Sequence, residues 1–116
     1  MIPEENKNLN TELDTATEIN GSETVKLKKP LDYNGHVYTE LHFNFNDLTG
    51  RDSMEVQQEM VQRKKGVVIV GALNNDYIVG IAAKACQEPI GIDAFMAMGL
   101  KDYNSITEIT RNFLLK

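Results

Sequence analysis

Between Thr24 and Phe45, apolar and polar side chains alternate on both sides of an Asn34-Gly35 pair. Alternation with period two around a turn dipeptide predicts a β-hairpin over 24–45. The pairing can be argued from the faces it creates. A two-residue Asn34-Gly35 turn sets Leu27 opposite His42 and Val25 opposite Asn44, which mixes apolar with polar. A three-residue loop, Tyr33-Asn34-Gly35 with Gly35 left-handed in a bulge, pairs Leu31 with Val37, Leu27 with Leu41 and Val25 with Phe43. It also sets Lys28 opposite Glu40 on the wet face, so the three-residue loop is the expected register.

Beyond Phe45 the period lengthens. Residues 47–53 offer several N-cap side chains, and a helix is expected over about 51–65, closed by Lys64, Lys65 and Gly66. Its apolar stripe (Met54, Val56, Met60, Val61) is thin, which predicts a well-solvated helix. The run Val67–Val70 fits either a short buried strand or an irregular connector. Asn74 or Asn75 caps a helix over 75–87, where Tyr77, Ile78, Ile81, Ala82 and Ala85 share a face until Pro89 stops it. A short helix over 92–98 ends at Gly99. The last, over 101–115, carries Tyr103, Ile106, Ile109, Thr110, Phe113 and Leu114 on one side. A lone hairpin is marginal, so the later helices or another copy must cover its apolar face. The expected fold is α+β, mainly helical, with an N-terminal β-hairpin and three to four helices.

Residues 1–22 break the pattern. Only Ile2, Leu9, Leu13 and Ile19 are sizeable apolar groups there, too few to offset the ordering of the backbone. A flexible acidic tail over 1–22 and a single domain over 23–116 follow, with Leu9 and Leu13 ordering on a partner as the lesser alternative. The formal charge of -5 belongs to this tail: residues 1–23 hold six acids against Lys7, and the rest is neutral. A neutral body exerts no general pull on nucleic acid or anionic lipid. Cys86 is the single cysteine, which suits a reducing cytoplasm, and neither a secretory signal nor a membrane-length apolar run is apparent.

Catalytic patterns are not found. The sequence has no glycine-rich phosphate loop, paired-cysteine zinc pattern, nucleophile elbow or His-Glu-x-x-His stretch. His36 and His42 stand six residues apart on one strand, about 20 Å if extended, and read as exposed strand histidines rather than metal ligands. Cys86 continues a small-residue face, Ala82, Ala83 and Ala85, and reads as a buried, inert thiol. The expectation is no enzyme, no cofactor and no metal. Arg63-Lys64-Lys65 has a structural reason to sit at a helix C-terminus. Near the end of the chain, Phe95, Met96, Met98, Phe113, Leu114 and Leu115 concentrate more apolar surface than one small core needs. Phe113, Leu114 and Leu115 point in three directions on a helix, so the surplus is expected to meet a partner or another copy.

Five segments in order resemble one family: Val25-Lys-Leu-Lys-Lys-Pro30, Tyr33-Asn-Gly-His-Val-Tyr-Thr-Glu-Leu41, Phe43-Asn-Phe-Asn-Asp-Leu-Thr-Gly-Arg-Asp52, Tyr77-Ile-Val-Gly-Ile-Ala-Ala-Lys-Ala85 and Arg111-Asn-Phe-Leu-Leu115. Together they are similar to the tail assembly chaperones of long-tailed bacteriophages, over about residues 24–115. The departure is Val67–Val70, more apolar than the family's loop. The resemblance implies a protein of the bacterial host cytoplasm, absent from the mature virion. It would coat the tape measure protein, keep it soluble, bring tail tube subunits to it, and carry out no catalysis; self-association is expected from the surplus apolar groups instead. Two other functions fit the residues: a small phage DNA-binding regulator using its C-terminal helices, or a minor structural protein of the virion.

Overall fold

The computed structural model describes residues 21–66 and 69–116. Residues 1–20 of the acidic tail, and Val67 and Val68, lie outside the described residues. The fold is α+β: a two-stranded antiparallel hairpin, β1 (Ser22–Tyr33) and β2 (His36–Asn44), followed by four helices. These are α1 (Gly50–Gln62), α2 (Asn75–Ala85), α3 (Ile92–Ala97) and α4 (Leu100–Leu114), with single 3-10 turns at Phe45–Asp47 and Gly71–Leu73. Gly21 and Ser22, expected in the tail, belong to the folded unit; the Phe45 N–H donates to the Gly21 carbonyl at 3.0 Å.

The hairpin register corrects the sequence reading. Asn34 and Gly35 both take left-handed backbone (φ 52° and 83°) in a two-residue turn that pairs Tyr33 with His36 and Leu31 with Tyr38. Both positive φ values match the twist of the flanking strands. The mixing of faces is avoided by a wide bulge instead. Between the Leu31–Tyr38 and Lys26–Glu40 pairs, Leu27, Lys28, Lys29 and Pro30 stand against Thr39 alone. The slip brings Val25 opposite Leu41, and Lys26 rather than Lys28 opposite Glu40. Val37, expected inside against Leu31, pairs with Asp32 and is exposed.

The bulge has a cause far along the chain. Pro30 has no N–H to give a ladder. The Lys28 and Lys29 amides donate instead to the two oxygens of Asp102, at 2.8 and 3.1 Å. Asp102 sits in the first turn of α4 and is 2% exposed. A buried carboxylate is tolerated because two backbone donors and the helix N-terminus satisfy it.

Helix ends follow local chemistry. The Asp52 carboxylate accepts the Thr49 N–H at 2.8 Å, closing the start of α1. The end of α1 comes earlier than expected: Lys64 takes the left-handed position (φ 60°), its N–H donating to Val61 and that of Lys65 to Met60. Asn74 caps α2 by accepting the Tyr77 N–H at 2.9 Å. That helix stops at Ala85, where Cys86 turns to extended backbone ahead of Pro89. Cys86 then bridges to Phe43, and Gln87 N–H donates to the His42 carbonyl at 2.7 Å, so this return covers the free edge of β2.

Phe43, Phe45, Phe95 and Phe113 join the layers as a chain of rings. Phe43 lies 6.0 Å from Phe45 and 6.4 Å from Phe95, and Phe45 lies 5.1 Å from Phe113. Leu41, Val56, Met60, Ile78 and Ile106 fill the core around them. Of the α1 stripe, Val56 and Met60 are buried while Met54 and Val61 face outward. Ile69 and Val70 are exposed in a bend, so they form no buried strand.

Candidate functional site: an apolar cleft beside the last helix

Phe45 leaves β2 at the 3-10 turn and presents its ring to α4. On α4, Ile109 and Phe113 are four residues apart and therefore share a face. Phe113 stacks on Phe45 at an interplanar angle of 24°, and Leu114 follows it round the helix. These side chains, with Gly21, Glu23, Asn112 and Lys116, line an open cleft of about 740 Å³. Its floor is apolar, while Glu23 and Lys116 contribute opposite charges. Gly21 forms part of one wall in left-handed backbone (φ 72°), where a Cβ would come 3.0 Å from the Asn46 side-chain oxygen. A cleft of this volume and lining suits an apolar side-chain cluster of another polypeptide.

Of the six residues expected to meet partners, the structure brings only Phe113 and Leu114 into the cleft. Leu115 is exposed at the next position, and Met96 is 61% exposed on α3. Phe95 (1% exposed) and Met98 (8%) are corrections: both are core residues. Phe95 packs on Phe43, and α3 is too short for sequence periodicity to show which side faces the sheet. Phe45, Ile109 and Gly21 were not singled out as site residues. The Phe43-x-Phe45 alternation and the Ile109–Phe113 spacing were the available signals.

A second cluster surrounds His42. Its Nδ1 lies 2.6 Å from Glu88 Oε2 and its Nε2 3.3 Å from Glu40 Oε2, while its backbone N–H donates to Glu88 Oε1 at 2.9 Å. The hydrogen bond to Glu88 raises the His42 pKa, against an opposing effect of burial. Burial alone would push Glu88 up; hydrogen bonds from His42 and the Cys86 thiol outweigh it and hold this carboxyl below its usual range. His42 is thus a tethered edge residue rather than a free surface histidine. The fold also brings Cys86 near it, but through Glu88: the thiol donates to Glu88 Oε1 at 3.5 Å. Burial pushes the thiol up to about 12, which disfavours the thiolate near neutral pH.

Among the described residues, no group of three His, Cys, Asp or Glu side chains is arranged to hold a metal ion, and no helix is long and apolar enough to cross a membrane. The class defined by this geometry is an α+β domain of one hairpin and four helices, with an open apolar cleft at the end of the last helix. Compared with family models, curated proteins and solved structures, the chain matches none.

Proposed function

We propose that the protein is a tail assembly chaperone of a long-tailed phage or prophage, which binds the tape measure protein and helps recruit tail tube subunits. The observation that carries the reading is the cleft between Phe45 and α4, left open with Phe113 and Leu114 on its wall. An apolar stretch of a client gains about 25 cal/mol per Å² buried there, and weak sites repeated along a long client hold through avidity. The similarity of five ordered segments to that family supplies the client's identity. On this reading the protein acts by reversible binding in the host cytoplasm, without cofactor or catalysis. It also self-associates and stays out of the finished virion.

Charge distribution favours this over the DNA-binding reading. Of the two basic residues central to a helix-turn-helix made from α3 and α4, Arg111 is engaged with the Ala72 carbonyl and Asn75. Lys101 remains, beside an Asp102 that is already satisfied within the fold. Co-expression with the tape measure protein encoded nearby should raise the amount of that protein in the soluble fraction. Unchanged aggregation of the client would refute the proposal. Detection of the chain in purified particles would assign it to the virion structure instead.

A further inference from the structure

We propose that the cleft beside Phe113 is the docking place of the chain's own N-terminal segment, with Leu9, Leu13 and Ile19 as its apolar contacts. The first argument is where that segment attaches. Gly21, the first described residue, is itself part of the cleft wall, pinned through its carbonyl to the Phe45 N–H at 3.0 Å. The twenty residues before it therefore depart from the rim with no spacer to cross. Ile19 is two residues away, and Leu9 is twelve, a span of at most about 40 Å. Such a short tether gives an effective concentration on the order of millimolar, so contacts too weak to bind as a free peptide suffice.

The second argument is chemical fit. After Ile2, the segment's sizeable apolar side chains are Leu9, Leu13 and Ile19, and Leu9 and Leu13 have the four-residue spacing of one helical face. The apolar groups that share the cleft with the point of attachment are Ile109, Phe113 and Leu114, half-buried beside the buried Phe45 ring. The segment is acid-rich, and Lys116 on the rim offers it a cation, while Glu23 keeps the fit from being purely electrostatic. Covered in this way, the cleft would be shielded from water until a client displaces the segment. That competition rests on the client reading above; the occupancy does not.

The test uses the full chain carrying a nitroxide label at Thr15→Cys, with the unsubstituted chain confirming that Cys86 takes up no reagent. Backbone amide signals of Ile109, Asn112, Phe113 and Leu114 should lose most of their intensity relative to the reduced label, independently of protein concentration. Met54 and Gln58, on the outer face of α1, should keep theirs. The double substitution Leu9→Ser and Leu13→Ser should restore the lost signals. No loss at the cleft would overturn the proposal. So would a loss that vanishes on dilution, which would assign the cleft to a second copy, or a loss that persists in the double variant. None of these outcomes depends on the tape measure protein, so a failed client assay and a failed docking test are separate results.

Discussion

Lys64 ends α1 in a conformation that costs a side chain about 1–2 kcal/mol relative to glycine, and its side chain is exposed. Lys64→Gly is therefore expected to raise stability by about 1 kcal/mol, read as a higher midpoint of urea unfolding with an unchanged slope. The two charged partners of His42 make a different residue-scale prediction. Its folded pKa lies above the ordinary 6.5, so its stabilisation is complete below that value and is lost as pH rises through the folded pKa. Glu88, held below its ordinary 4.5, contributes above that value and loses its contribution as pH falls through its own folded pKa. The pair is thus most stabilising between about pH 4.5 and 6.5. Thermal unfolding should show wild-type stability declining from pH 6 to 8 more steeply than that of His42→Gln; parallel curves would remove His42 from the account.

At the scale of elements, two contacts hold the layers in place. A methyl group at Gly80 of α2 would overlap Val56 Cγ1 of α1, and a β-branched valine is stiff at χ1. Gly80→Ala should lose about 1–3 kcal/mol despite the better helix propensity of alanine. Adding Val56→Ala should then cost less than it does alone, which a double-mutant cycle measures. The second contact ties the hairpin to α4. Asp102→Ala removes the acceptor of the Lys28 and Lys29 amides in part-buried hydrogen bonds, an expected loss of about 1–3 kcal/mol. Hydrogen exchange at those two amides should accelerate with it, and Asp102→Asn should fall between wild type and alanine.

For the molecule as a whole, burial divides the apolar groups near the C-terminus into two populations. Leu115 is 66% exposed and outside the cleft, so Leu115→Ser should change stability by less than about 0.5 kcal/mol and, on the proposed reading, leave client solubilisation unchanged. Phe113 is half-buried on Phe45, so Phe113→Ser should reduce both, with a stability loss of roughly 2 kcal/mol. Comparing soluble client yield with the unfolding midpoint for the two variants separates the roles. A Phe113→Ser protein with wild-type yield would place the binding surface elsewhere. Met96, exposed on α3, serves as the comparison position for any effect of apolar exposure alone.

The hairpin, the four helices and their approximate limits were legible in the amino-acid sequence because each depends on a local period, a cap or a turn dipeptide. The register was not, because the bulge at Lys28 and Lys29 is held by Asp102, more than seventy positions away in the chain. Nor could a six-residue helix show that Phe95 and Met98 turn inward while Met96 turns out. The cleft joins Phe45 to Phe113, and the tether on His42 joins β2 to the return after α2. Local sequence determines which segments are strands and helices; only their packing decides which side chains are left facing water, since that depends on what each face meets.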